Sequence, residues 1–359
     1  MSIRLKLPTR YKPTGTTFDG GMSDAILCDD LHLERKVVIK TLKNGVDTSR
    51  LLDELAALQS IRSKHVVQIF DVIRNLDGTV AAIVQEYIPG NDLTKLSPPS
   101  TADEVLKVLY PIAEGIQDIH SHGRIHRDIK RQNMKYDAEG CLKIFDFGLA
   151  RDESGASTEG SKGTPGYMAP ELFESTKSKT VTFSSAIDVF AFASTALAIL
   201  LGKVPNGLRA TPPSLPCTEA DFTKLAVKLP ADVANELNRC LSASPKDRPK
   251  MRQIAEILAL HLLRDQHRAL LVTGGTTYTL DASQKAVELA VKDRGTIHLS
   301  YDGLRFVVTH VGGDVSINNM AISNGFVLPG SCVIVLGSPD LGSRRIFITV
   351  DVSHPEVVI

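Results

Sequence analysis

Apolar positions along the chain change period four times. Near the N-terminus, "VVIKTL" (Val37 to Leu42) and "VAAIVQEYI" (Val80 to Ile88) are short runs of β-branched and apolar residues, which predict strands. Between them, "SRLLDELAALQSI" repeats apolar residues every three or four positions, the spacing of one helix face. From about Thr101 to Arg264 the helical period dominates. It predicts helices over "ADEVLKVLYPIAEGIQDIHSHG", the apolar stretch near Ala186, "AVKLPADVANELNRCLS" and "MRQIAEILALHLL". Beyond about Arg268 the pattern shortens again. "TIHLSYDGLRFVVTHVGG" and "GFVLPGSCVIVLGS" are β runs broken by Asp-Gly, Gly-Gly, Asn-Gly and Pro-Gly, which predicts a small all-β module. The boundary is expected within "LLRDQHRALLVTGG".

Bulk composition narrows the picture only a little. At 359 residues, the chain is long for one core when domains run to roughly 100–200 residues each. Its 41 basic and 41 acidic residues give a formal net charge of zero, so bulk electrostatics do not point to nucleic acid or an acidic membrane as partner. Cys28, Cys141, Cys217, Cys240 and Cys332 are an odd set without metal-site spacing, which suits a reducing compartment. "MSIRLKLPTRYKPTG" has no apolar core of a signal peptide, and "VFAFASTALAILLG" is short for a bilayer span, so a buried helix and a cytoplasmic location are the expectation.

Polar chemistry is concentrated in a few places. "RIHRDIKRQNM" sets His126, Arg127, Asp128, Lys130 and Asn133 close together, and "KIFDFGLAR" follows with Asp146 before Phe147 and Gly148. Alone, Asp128 reads as a turn aspartate and Lys40 as a lysine on a solvated strand face. In order, however, "VVIK", Glu54, "HRDIKRQN", "DFG" and "APE" match the signature series of one family. The chain resembles the protein kinase superfamily over about residues 10–265, in the form of bacterial eukaryotic-like Ser/Thr protein kinases.

The resemblance implies an α+β fold, two-lobed as in protein kinases and followed by a small all-β, sandwich-like domain. Residues 1–88 would form the N-lobe, 89–265 the C-lobe and 266–359 the last domain. It also implies an ATP- and Mg²⁺-dependent transfer of the γ-phosphate to Ser/Thr hydroxyls, with Mn²⁺ as a substitute metal and autophosphorylation of the activation loop. Lys40 would hold the phosphates, placed by an ion pair to Glu54 rather than Glu34 or Asp53. Asp128 would orient the acceptor hydroxyl, and Lys130 would steady the γ-phosphate. Asn133 and Asp146 would bind the metal. Thr164 in "GTPGYMAPE" would stand against Asp128 and Lys130, as in Ser/Thr kinases. Glu171 would pair with Arg248, Asp188 would anchor the catalytic loop, and His126 and Phe147 would be internal spine residues.

For the nucleotide, the resemblance implies a hinge at "QEYIPG", with gatekeeper Gln85 and adenine bonded to backbone at Glu86 and Ile88; Val38 would line the base. "FDGGMSDA" departs from the Gly-rich loop: Phe18 replaces the first glycine, Ser23 the third and Ala25 the valine, while Gly20 and Gly21 still permit close backbone approach. A plain hairpin turn is the competing reading of that stretch. Lys135 stands where an apolar residue floors the adenine, with its stem expected to cover the base and its ammonium to run outward.

Arg127 is the arginine that would receive an activation-loop phosphate, on Thr158 first and Ser157 second; the competing reading of that loop is a simple linker. The C-terminal region faintly resembles a degenerate forkhead-associated domain without its phosphothreonine-binding residues, so a protein-docking module is expected there. A scaffold that holds partners without catalysis, and a small-molecule kinase, are the alternative functions. Retention of Lys40, Asp128 and Asn133 argues against the first, and Thr164 with "APE" against the second. The partners expected are proteins with Ser/Thr acceptors, without nucleic acid and without a membrane span.

Overall fold

The computed structural model describes residues 7–19, 23–42, 49–152, 157–158, 163–174, 181–182, 184–353 and 355–357. Two compact units emerge, residues 1–258 and 259–358, divided inside the helix Met251–Leu262.

The first unit opens with five antiparallel strands: β1 (Tyr11–Asp19), β2 (Ser23–Asp30), β3 (Arg35–Leu42), β4 (Ile69–Arg74) and β5 (Val80–Glu86). Their order in the sheet is β1-β2-β3-β5-β4. Helix α1 (Ser49–Ser60) lies between β3 and β4 in sequence and seats Leu51 and Leu55 against Ile83 of β5. Alternation in β3 buries Val37 and Ile39 fully on one face and leaves Lys40 to the other, so the strand aims the lysine away from the sheet's apolar layer.

The helical part starts with α2 (Ala102–Ser121), entered through a capping box in which Thr101 and Glu104 bond each other's backbone. Gly115 has a steric reason: a Cβ there would lie 2.8 Å from Ile144 Cδ1 and 3.0 Å from His65 Cβ, so glycine lets α2 approach the floor of the site. Short strands β6 (Arg124–Ile125), β7 (Met134–Tyr136), β8 (Leu142–Ile144) and β9 (Arg151–Asp152) follow, pairing β6 with β9 and β7 with β8. Strand β10 (Ser157–Thr158) pairs with β11 (Val181–Thr182), and between them in sequence comes α3 (Glu171–Glu174). Helix α4 (Ala186–Leu201) is buried almost throughout, as the uniformly apolar run requires. Helices α5 (Asn206–Arg209) and α6 (Ala231–Cys240) follow, and the division between the units falls within α7 (Met251–Leu262). The helix expected over "AVKLPADVANELNRCLS" is shorter at its start, because Pro230 takes the N-cap position and Ala226 to Leu229 stay outside.

Arg248 staples the base of this unit. Its side chain is fully buried, reaches Glu171 at 2.7 and 2.8 Å, and donates to the carbonyls of Ala186, Ser242 and Ala243. Removing one partner of such a pair strands the other charge in a poorly solvated place. Arg248→Ala is therefore expected to cost about 3–5 kcal/mol. Thermal denaturation followed by circular dichroism should show a Tm drop on the order of 10 °C.

The second unit is all β. Strands β12 (Ala269–Thr273), β13 (Thr276–Leu280), β17 (Val315–Ile317), β18 (Met320–Ala321), β19 (Cys332–Leu336) and β20 (Ile346–Val352) form a six-stranded sheet of order β13-β12-β20-β19-β17-β18. Strands β14 (Ala286–Val291), β15 (Gly295–Tyr301) and β16 (Phe306–Gly313) form a second sheet. One core joins them: Leu271, Ile334 and Ile348 from the first meet Ile297, Leu299 and Val308 from the second. This is a small sandwich. The "GFVL" run expected as a strand is irregular instead. Its backbone bonds the edge of β16 through Phe306, Val308 and Phe326, and Pro329 prevents it from continuing a regular ladder. All five cysteines are free thiols. Among the described residues no helix is long and apolar enough to cross a membrane.

Candidate active site

Lys40 is the centre of the first cluster. Its Nζ lies 2.9 and 2.8 Å from the two carboxylate oxygens of Glu54 and 2.8 Å from Oδ1 of Asp146. Burial alone would depress the lysine, but the two carboxylates reverse this and hold it above its usual range. The same contact, led by the charge on Lys40, keeps Asp146 below the ordinary carboxylate range against its own desolvation. Both groups are ionised at neutral pH. Gln85 donates from Nε2 to Glu54 Oε1 at 3.0 Å, so the end of β5 also fixes the glutamate.

A second cluster surrounds Asp128. Thr164 Oγ1 donates to Asp128 Oδ1 at 2.9 Å, while Lys130 Nζ donates to Thr164 Oγ1 at 2.9 Å and lies 2.7 Å from Asp128 Oδ2. Asn133 donates its amide to the backbone oxygen of Asp128 at 2.8 Å and to Oδ2 at 3.0 Å. That orientation leaves Asn133 Oδ1 as the amide's remaining acceptor.

Buried Asp188 at the start of α4 holds the loop that carries these groups. Its two oxygens accept the backbone N–H groups of His126 and Arg127, both at 2.8 Å, and the ring of His120 at 3.0 Å. Burial pushes Asp188 upward, yet the His120 bond and the neighbouring histidines leave it below the ordinary range. Arg127 sits at φ +69° and Asp146 at φ +66°, left-handed backbone that costs of order 1–3 kcal/mol for a non-glycine residue. Asp188 supplies part of the compensation by bonding the Arg127 N–H. His126 meets Phe147 edge-on at 4.5 Å. Its Nδ1 faces the Asp128 N–H at 3.3 Å and its Nε2 faces the Phe145 carbonyl at 3.2 Å, which assigns the proton to Nε2.

Beside Lys40 lies a cavity of about 220 Å³, lined among others by Ala25, Val38, Glu86, Ile88, Lys135 and Asp146. The residues expected to surround a nucleotide base are thus brought to one place. Gly20 and Gly21 lie outside the described residues; Ser23 opens β2, and its side chain does not enter the description. Lys135 has two ring neighbours that the linear sequence does not show. Its ammonium lies 5.9 Å from the ring centre of Phe18, itself exposed, and 5.8 Å from that of Phe145. Aromatic faces attract a cation at such distances. The phenylalanine that breaks the glycine pattern therefore has a partner.

Several contacts escape a linear reading. Glu86 is gripped by Lys143 at 3.1 Å, and Asp53 by Arg151 at 2.6 Å. Asp53 and Glu54 are adjacent on α1 and so point in different directions, one to Arg151 and one to Lys40. Arg127, the expected phosphate receiver, is buried; desolvation and the nearby Arg151 bring its guanidinium down to about 10. Thr158 and Ser157 lie on β10, with Thr158 opposite Val181. Among the described residues no three His, Cys, Asp or Glu side chains cluster to form a metal cage. Asn133 and Asp146 are oxygen donors of the kind that could hold a divalent metal together with substrate phosphates.

The two clusters, the buried anchor and the adjoining cavity define a phosphotransferase-type site on a two-lobed fold. Residues 15–258 match the protein kinase domain model, and the chain belongs to that family. Its relatives include the serine/threonine-protein kinase drp72 of Corynebacterium efficiens, 32% identical over 257 residues, covering 62% of this chain and 48% of that protein. PknA of Corynebacterium glutamicum is 32% identical over 200 residues, covering 52% and 42%. PkaB of Streptomyces coelicolor is 27% identical over 254 residues, covering 66% and 56%. The chain spans about half the length of these curated relatives. Family membership carries a general use of ATP and a divalent metal.

Proposed function

We propose that this chain transfers the γ-phosphoryl group of Mg²⁺-bound ATP to Ser and Thr hydroxyls of proteins. The observation that carries the reading is the Thr164 hydroxyl, bonded to both Lys130 Nζ and Asp128 Oδ1. A threonine tied to both groups shapes a site for a hydroxyl acceptor beside them.

The roles follow from charge and position. Asp128 orients the incoming hydroxyl and accepts its proton. Lys130 faces the transferring phosphoryl oxygens. Lys40, held by Glu54, binds the inner phosphates. Adenine takes the cavity beside Ala25 and Val38, bonded by backbone at Glu86 and Ile88 and floored by Lys135. Asn133 and Asp146 would hold the metal, which when bound neutralises phosphate charge. Most of the rate gain in such a transfer comes from positioning and electrostatics, and the ion-paired groups here supply both. Residues 1–88 and 89–265 serve as the two lobes, and residues 266–359 as a protein-docking module without phosphothreonine recognition.

Labelled ATP with Mg²⁺ and a generic protein acceptor tests this directly. Label on Ser or Thr, absent from Asp128→Asn, is the expected result. Tight nucleotide binding with no transfer would refute it. Autophosphorylation is expected at Thr158 before Ser157, with the phosphate received by Arg127. Mass spectrometry after incubation with ATP should find it in the active chain only, and Thr158→Ala should lower activity several-fold. Full activity after changing Ser154, Ser157, Thr158 and Ser161 together to Ala would exclude such a switch.

A further inference from the structure

Glu54 can pair with Lys40 only while α1 stays against the body of the site, and the two apolar seats of α1 on β5 are not its only restraint. One residue before Glu54, Asp53 turns toward the opposite side and meets Arg151 Nη1 at 2.6 Å. Arg151 lies on β9, five residues after Asp146 in sequence, and its strand partner is Ile125, immediately ahead of the His126–Asp128 loop. The same Nη1 also donates to the carbonyl of Ala150 at 2.8 Å, which fixes the guanidinium along its own strand. A single ion pair therefore connects the helix that orients Lys40 with the segment that leads into the loop carrying Asp128.

We infer that Asp53 and Arg151 are positioning residues for phosphoryl transfer, with the Asp53 carboxylate holding α1 in its productive place before any phosphate is added to the activation segment. The inference rests on the transfer reading above. Its physical content is a balance of charge. Arg151 lies close enough to Arg127 to disfavour its cation alongside burial, and the Asp188 carboxylate offsets this in part. Two neighbouring guanidiniums attract negative charge in addition to that of Asp188. A phosphate is one source, and the fixed carboxylate of Asp53 is another that the chain always carries. Adjacent side chains on one helix divide the work: Asp53 ties α1 down, and Glu54 presents itself to Lys40. Asp53 is half-exposed, as is Arg151, so the pair adds little to global stability and its effect falls on the placement of α1.

Phosphatase-treated protein provides the test, so that no loop phosphate substitutes for the carboxylate. In Asp53→Asn and in Arg151→Gln, kcat is expected to fall about 10-fold with KM for ATP changed less than about threefold, the mark of misplaced catalytic groups. The exchanged pair, Asp53→Arg with Arg151→Asp, is expected to recover most of the loss, since the interaction and not either residue matters. Amide hydrogen exchange over residues 49–60 is the second readout. It should accelerate in both single variants and return in the exchanged pair, whether or not the chain transfers phosphate. Absence of transfer in the unmutated protein would thus overturn the catalytic reading while exchange still judged the pair. Unchanged kcat and unchanged exchange in Asp53→Asn, or an exchanged pair no better than the single variants, would overturn the inference.

Discussion

Asp146→Asn is expected to abolish transfer while leaving the fold intact. Its carboxylate contacts Lys40 and, on the proposed reading, would also hold the metal, and its side chain is half-open to solvent. Replacing it removes a charge where phosphate charge must be balanced, and strands little in the interior. Loss of a single preorganised charge contact in such a site costs about 10³-fold in kcat or more. Lys40→Met should reach a similar loss, but with a second effect. Glu54 is only 2% exposed and would keep Gln85 as a neutral partner after losing its cation, so a destabilisation of about 3–5 kcal/mol accompanies the lost activity. Asp146→Asn is the cleaner variant for this reason. Single-turnover transfer with a parallel thermal melt separates the two: an Asp146→Asn chain with near-normal kcat would remove Asp146 from the chemistry.

Asp188→Asn is expected to lower both stability and rate, although residue 188 touches neither nucleotide nor acceptor. Three donors converge on its two oxygens. An amide offers one acceptor and one donor group, so at least one buried N–H would face another. The cost is about 2–4 kcal/mol, the combined price of a lost charged hydrogen bond and an unsatisfied donor. Arg127 would lose the bond that supports its positive φ, and Asp128 would shift with it; displacement of about 1 Å costs on the order of 10²-fold in rate. The sign of the pH dependence follows from the lowered Asp188 value. Its stabilisation is fully present above the unfolded carboxylate range near ~3.8 and is lost as pH falls through the lower folded value. Acid titration of the Asn variant should lack that part of the acid limb. A melt and rate indistinguishable from the unmutated chain would show that the loop is held by other means.

Much of this site was legible because polar residues interrupt apolar runs at fixed points. Asp128, Asn133 and Asp146 sit in or beside buried strands, and Lys40 ends a run of Val and Ile; such residues need partners, and the resemblance of their order to the protein kinase series implied which. Glu54 was separable from Asp53 and Glu34 by the kinase-like spacing of the helix and the strand that follows it. The Asp53–Arg151 and Glu86–Lys143 pairs had no such signal. Their members are far apart in sequence, and each alone resembles any surface charge. The ring neighbours of Lys135 were hidden for a related reason: they come from β1 and from the residue before Asp146, and only the fold brings them together. In the sandwich, turn dipeptides such as Asp302-Gly303 marked the hairpins well. The two-residue β18 and the irregular edge at Phe326 escaped, since neither has a run long enough to show a period.

The bond from Gln85 to Glu54 has a consequence for small-molecule inhibition. Gln85 lines the cavity and is tied behind it to a buried carboxylate that also holds Lys40. A compound that reaches past residue 85 must first break a charge-assisted hydrogen bond out of contact with water, at about 1.5–3 kcal/mol. Compounds confined to the front, where Phe18, Lys135 and Phe145 gather, meet no such toll. Potent inhibitors of this chain are therefore expected to be flat aromatic molecules bearing an acceptor for the Lys135 ammonium, and bulky groups aimed behind β5 should weaken them.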